Sequence, residues 1–199
     1  MSDYHVAFGL ASLVLSVVGH IFYIRSIFVD GTKPHPFTWL LFTILDGTVF
    51  LVQFLHGGGP GAWLLGLTTI FGGIVFVISL VKGEKRIATI DWICLLAALA
   101  GIATWIVTNN PFYAVALACM TELVAKAPTF RKSYLRPHEE SITIWISGII
   151  NFTLSLIALT SHTFTTVLFP AVIIITNVLL VAMILLRRRK LGRVAANAV

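Results

Sequence analysis

The chain has 199 residues, 58% of them hydrophobic and only 11% charged, with 14 Lys and Arg against 8 Asp and Glu. So few charges cannot cover the surface of a soluble domain, which excludes that class and points to a protein embedded in the lipid bilayer. The formal net charge of +6 would suit nucleic acid only if the basic residues formed one polar patch; they are scattered between apolar runs, so no nucleic-acid partner is expected.

Punctuation by Gly, Pro and charge divides the chain into seven runs near the length of about 20 residues that a helix needs to cross hydrocarbon. The first, Tyr4–Phe28, places Ser12, Ser16, His20 and Tyr23 on one helical face. Met1-Ser2-Asp3 lacks the basic start of a secretory signal, so this helix is expected to be retained. The second run, Phe37–Leu55, carries Thr43, Asp46 and Gln53 on one face, with Trp39 near its start. Gly57-Gly58-Gly59-Pro60-Gly61 follows; it lacks the Lys-Ser/Thr of a phosphate loop and reads as a flexible turn.

The third run, Ala62–Val81, contains Gly72-Gly73, which permits close helix approach. The fourth, Thr89–Val107, opens on Asp91, a residue suited to a helix N-terminus, and offers Ala97, Gly101 and Trp105 as a packing seam. On the fifth, Pro111–Phe130, Glu122, Lys126 and Thr129 share a face, and Pro128 is a hinge candidate. The sixth, Ile142–Leu159, aligns Thr143, Ser147, Asn151 and Ser155. The seventh, Phe164–Leu186, holds Pro170 and Asn177 and leads into Arg187-Arg188-Arg189-Lys190 and Arg193. Cys94 and Cys119 each lie inside an apolar run with no Cys or His at ligand spacing. They read as small core residues, and neither a disulfide frame, a metal site nor a cofactor is expected.

The basic residues alternate. Arg25 and Lys33 mark the end of the first run and the connection after it, Lys82, Lys85 and Arg86 follow the third, Arg131, Lys132 and Arg136 the fifth, and the Arg187–Arg193 cluster the seventh, whereas the other connections contain no Lys or Arg. The positive-inside rule then puts the N-terminus outside and the C-terminus in the cytoplasm. A prokaryotic plasma (inner) membrane is the expected location.

An offset of 106 residues aligns Arg25 with Arg131, Trp39 with Trp145, Phe28 with Tyr134 and His20 with Lys126. It also superposes Ser16 on Glu122 and brings Asp46 within one residue of Asn151. The expected organisation is a 3+1+3 parallel repeat: residues 1–86 form the first three-helix unit, 87–110 a linker helix, and 111–199 the second unit with its basic tail.

An ionisable side chain within hydrocarbon costs about 2.5–3.5 kcal/mol, so it should face protein or water and is a functional candidate by default. Helix rise puts Asp46 and Glu122 near mid-membrane, with His20 and Lys126 about one turn closer to the basic end. Together with Asn151 and Asn177 they would line a site for a small polar or charged substrate. Each has a plainer reading: Glu122 and Lys126, spaced i and i+4, could be a packing ion pair, and His20 an interhelical hydrogen-bonding group. Asp46 has no opposite charge at i±3 or i±4, so its neutralisation must come from another helix or from protonation. Trp39 and Trp145, near helix ends, suit an interfacial belt as readily as substrate stacking.

The stretch Lys126-Ala127-Pro128-Thr129-Phe130-Arg131-Lys132-Ser133-Tyr134, followed by Ser141 and Trp145, resembles a PQ-loop repeat. In that superfamily, which includes the SWEET sugar transporters and the KDEL receptor, a Pro-Gln pair ends the first and fifth helices and precedes a basic, Tyr-containing loop. Here Pro128 fits, Thr129 stands in place of Gln, and Phe22-Tyr23 occupies the position in the first copy. The resemblance covers the whole chain through its three-one-three plan, and implies transport by alternating access. Asn177 is placed like a substrate-binding Asn of SWEET proteins, with Phe71 as its counterpart on the third helix.

The leading expectation is therefore a membrane transporter or facilitator of a small polar solute. The alternatives are a pH-sensitive binding or sorting receptor, or a membrane scaffold without a ligand. A homo-oligomer is open. An enzyme is not expected, because the chain lacks a Ser/His/Asp set, HExxH and CxxC.

Overall fold

Apolar runs that must satisfy their own backbone polar groups do so through local hydrogen bonds, and helices are the outcome. The structure, a computed structural model, describes residues 3–29, 31–83, 89–139 and 142–196. Among these residues the chain forms seven α-helices and two 3₁₀ turns, with no strand: α1 Asp3–Val29, α2 Pro36–Leu55, α3 Trp63–Lys82, α4 Thr89–Thr108, α5 Pro111–Leu135, α6 Ile142–Ala158 and α7 Phe164–Ala196. Five of them, α1, α2, α3, α4 and α7, are long and apolar enough to cross a membrane. The apolar α6 has 17 residues, and Glu122, Lys126 and Arg131 dilute the apolar character of α5.

Two helices outrun their apolar stretches. α5 continues past Phe130 to Leu135 and α7 past Leu186 to Ala196. Apolarity marks only the part that hydrocarbon would cover, and basic side chains at a helix C-terminus favour its continuation. Residues 84–88, with the expected boundary at 86/87, lie outside the described residues, as do the side chains of Pro128, Lys132 and Arg193.

α2 is the central helix, touching α3, α4, α5 and α7. Its buried Leu41, Leu45, Val49 and Val52 pack in one core with Leu65, Val115 and Phe169. α3 packs on both α1 and α2, α7 packs on both α5 and α6, and α1 lies against α6. The seam of α4 runs through Cys94, Ala98 and Gly101, so Ala98 and not Ala97 is the buried alanine; a Cβ on Gly101 would sit 3.1 Å from Leu117. The outside is lined with large apolar side chains, Val81 at 81% and Val107 at 83% exposure among them. Soluble monomers do not expose apolar surface on this scale, whereas lipid would cover it.

The two ends of the bundle differ. At the basic end, Lys82 lies over the Phe28 ring at 4.2 Å, Arg187 over the Tyr134 ring at 4.2 Å, and His35 Nε2 is 3.7 Å from Asp91. At the opposite end the glycine-rich connection, expected to be a flexible turn, is instead packed into the bundle. Gly58 N–H donates to the Gln53 carbonyl (2.7 Å), and the Gly58 carbonyl accepts from Thr160 N–H (3.1 Å). The Thr160 hydroxyl donates to Gly57 O (2.6 Å) and the Ser155 hydroxyl to Gly61 O (2.7 Å). Pro60, Gly61 and Ala62 are buried in a 3₁₀ turn. Gly57 and Gly59 have φ of +74° and +59°, where L side chains are strained. A Cβ on Gly61 would lie 2.6 Å from the backbone nitrogen of Leu159. Glycine thus lets the connection after α2 close against the end of α6, a contact invisible to local turn propensity.

Gly61→Ala should therefore force the two backbones apart and lower stability by about 1–3 kcal/mol, read as a lower unfolding temperature of the detergent-purified protein. Gly73→Ala, whose Cβ would meet nothing closer than 3.9 Å, should leave the unfolding temperature unchanged or slightly raised.

Candidate solute site

A cavity of about 520 Å³ lies among α2 to α7. It extends from the helix starts marked by Phe37, Ile90 and Ile144 inward to Asp46, Glu122 and Asn177. Its walls are mostly apolar, with Leu41, Phe42, Trp145, Phe152 and Ile173 among them; Asp46, Glu122, Lys126 and Asn177 gather at the inner end, and Thr38, Asp91 and Thr129 lie toward the outer one.

The structure brings together four of the six residues expected to form a site: Asp46, Glu122, Lys126 and Asn177 all line this cavity. Glu122 and Lys126 share a face of α5 because they are one helical turn apart, and both are buried. The Lys126 ammonium reaches Glu122 Oε1 at 3.0 Å, Thr176 Oγ1 at 2.9 Å and Asn177 Oδ1 at 3.0 Å. An ammonium has three donors, so each has an acceptor, and the buried charge is both paired and solvated by protein. α6 makes room for this arrangement at Gly148, where a Cβ would lie 2.7 Å from Asn177 Nδ2.

Asp46 projects from mid-α2 and is only half-buried, because it faces the cavity. Thr68, whose hydroxyl donates to the Leu65 carbonyl at 3.1 Å, lines the cavity beside it, and the Glu122 carboxylate acts on it as a like charge. Among the described residues the two ion pairs are His35 with Asp91 and Lys126 with Glu122, so no cation is paired with Asp46. Two carboxylates thus face one ammonium at the inner end.

His20 and Asn151 lie apart from this group. His20 Nδ1 bonds to the Ser16 carbonyl at 2.8 Å and its ring stacks on Phe71 at 4.6 Å, which occupies it in packing α1 on α3. Asn151 does not line the cavity, and its Oδ1 is buried with no partner among the described residues. The adjacent Phe152 faces the cavity instead; on a helix one residue is a turn of about 100°, enough to exchange one face for another. The side chain of the hinge candidate Pro128 lies outside the described residues.

The tryptophans part company. Trp145 lines the cavity, whereas Trp39 packs against Tyr23 and Phe42. Asp91 sits in the first turn of α4 beside His35 and contributes to the outer part of the cavity. Thr68, Thr176, Gly148 and Phe152 were not legible as site residues. Thr176 could have been found from its place beside Asn177, but Gly148 carries no local signal for its role. Beyond the inner end the bundle is closed by the packed glycine-rich turn and by Gln53 Nε2, which donates to Thr166 O at 2.7 Å.

Neither protein-family models, nor curated proteins, nor solved structures give a match to this chain.

The buried pair sets a stability test. Lys126→Met leaves Glu122 buried without its cation and should cost about 3–5 kcal/mol, while Glu122→Gln combined with Lys126→Met should cost clearly less than Lys126→Met alone. Chemical unfolding in detergent measures both, and additive losses would show that the two residues are not coupled. Cys94 lines the cavity and Cys119 does not. A small thiol reagent should therefore modify Cys119→Ser protein much faster than Cys94→Ser protein.

Proposed function

We propose that the chain is a small membrane transporter or facilitator, with Asp46, Glu122, Lys126 and Asn177 forming the polar floor of its solute site. The observation that carries this reading is the cavity itself: it combines buried charges with apolar walls, reaches one end of the bundle, and is closed toward the other. A one-sided cavity of that kind is what alternating access requires of each of its states.

On this reading the basic end is cytoplasmic, by the positive-inside rule, and the cavity belongs to an inward-facing state of a plasma-membrane protein. The packing supports a 3+1+3 parallel repeat. α3 bridges α1 and α2 as α7 bridges α5 and α6, and α1 meets α6 as α5 meets α2. Individual contacts recur at the same offset. The His20 and Phe71 pair matches that of Lys126 and Asn177, and Lys82 over Phe28 has its counterpart in Arg187 over Tyr134, one residue from register. These matches favour a relation to the PQ-loop superfamily, with α4 as the linker.

The test is solute flux. Solutes that raise the unfolding temperature in a screen of sugars, amino acids, nucleosides, vitamins and amines should exchange across proteoliposomes containing the protein. Asp46→Asn and Glu122→Gln should each reduce that exchange about tenfold or more; unchanged flux in both would remove these residues from the mechanism. Saturable binding without any flux would replace transport by a receptor function.

A further inference from the structure

The transport reading leaves the solute unnamed, and the chemistry of the cavity narrows it. The polar groups at the inner end are unequally available. Lys126 is consumed by three acceptors, and two of these, the Thr176 hydroxyl and the Asn177 carbonyl oxygen, are engaged by it. Glu122 is paired with the same ammonium. At the outer end Asp91 has His35 at 3.7 Å. Asp46 remains as a carboxylate facing the cavity beside Thr68, with no cation paired with it among the described residues.

The charge balance of the lining residues is negative, with Asp46, Asp91 and Glu122 against Lys126. An anionic solute would have to approach Asp46 with no free cation among the described lining residues to receive it. A sugar would need several hydrogen-bonding side chains around its ring; the walls supply the hydroxyls of Thr38, Thr68 and Thr129, of which Thr38 and Thr68 are already bonded to His35 and Leu65, among a mainly apolar lining. Aromatic faces attract cations through the ring quadrupole, and they do so more strongly where water is excluded. A carboxylate at the floor of a partly aromatic chamber therefore suits a positively charged head on an apolar body, and about 520 Å³ falls in the range of cavities that hold small organic molecules.

We propose that the solute is a small organic cation, an amine or ammonium compound with an aromatic or aliphatic body, whose charge is held by Asp46 and whose body lies against Phe42, Trp145 and Phe152. This rests on the reading of the cavity as a solute site. It adds that Asp46 selects by charge and the rings by shape, while Lys126 and Glu122 keep the floor in place.

The probes are three compounds of similar size and body: phenethylamine as cation, 2-phenylethanol as neutral analogue and 3-phenylpropionate as anion. Their affinities for the intact protein in lipid nanodiscs are measured by calorimetry and, independently, by protection of Cys94 from a thiol reagent in Cys119→Ser protein. The cation should bind about tenfold or more tightly than the neutral compound, and the anion weakest. Asp46→Asn should remove the preference for the cation while leaving the neutral compound unchanged, and Phe152→Ala should weaken cation and neutral compound alike. Equal or reversed affinities in the wild-type protein, or no binding of the cation, would overturn the proposal without reliance on any variant. Flux separates this from the transport reading. Binding in the proposed order with no exchange across proteoliposomes would sink transport and keep the ligand class, whereas exchange restricted to neutral or anionic solutes would do the reverse.

Discussion

A charged group inside a bundle of apolar helices must be solvated by protein, and Lys126 shows what that demands. Its ammonium draws one acceptor from its own helix, Glu122, and two from α7, Thr176 and Asn177. Leaving it unpaired would cost several kcal/mol, so these distances fix where α7 can stand relative to α5. α6 then has to admit the Asn177 amide, and it does so with a glycine at 148. The same interaction sets the electrostatics of the cavity, because it consumes the one cation among the described lining residues and leaves the Asp46 carboxylate as the unmatched charge. A carboxylate in that position calls for neutralisation by a proton or, on the proposed reading, by a cationic solute, which would make the two natural competitors.

The closed end is built from different material. Gln53 to Thr166, Ser155 to Gly61, and Thr160 to Gly57 and Gly58 are hydrogen bonds between one pair of helix ends and another. Each contributes about 0.5–1.5 kcal/mol net, so together they amount to a few kcal/mol. That is the scale on which solute binding can redistribute two conformations. Glycine matters here for closeness: it brings backbone to backbone, where hydroxyl and amide donors can span the gap, and larger side chains would hold the ends apart. Rupture of four polar contacts is a more reversible event than separation of an interdigitated apolar core.

The helices were legible because hydrocarbon length and backbone satisfaction leave few options, and all seven observed starts lie within one residue of the apolar runs expected from sequence, including Pro36, Trp63 and Phe164. The ends of α5 and α7 were less so, since hydropathy is silent about helix that continues among Arg and Lys. Spacing rules also found the polar face of α5, and with it Glu122 and Lys126. They could not place residues whose role depends on a partner helix. Asn151 and Phe152 differ by one position, and which of them meets the cavity is decided by the rotation of α6 against α1 and α7, a tertiary quantity. His20 was a reasonable candidate by chemistry, yet the stack on Phe71 gives it a packing role that no pattern within α1 could reveal. The glycine-rich connection departs from its expected flexibility for a related reason: its glycines serve close approach of two backbones, which depends on a partner helix.

Under the proposed repeat, the two halves have diverged in a complementary way. Where the second half has Lys126 against Asn177, the first has His20 against Phe71; where the first half has Asp46, the second has Phe152. A site made of two identical halves would present the same groups twice about its axis and would suit a solute with matching ends. With the Lys126 network in one half and Asp46 in the other, the cavity has a charged floor beside aromatic walls. On the proposed transport reading, such a floor would distinguish the head of a solute from its body and set its orientation on entry. A fixed orientation is useful to a carrier only if the groups that impose it stay with the solute through the conformational change. On the same reading Asp46 would do so, because it stands on α2, the helix that touches α3, α5 and α7.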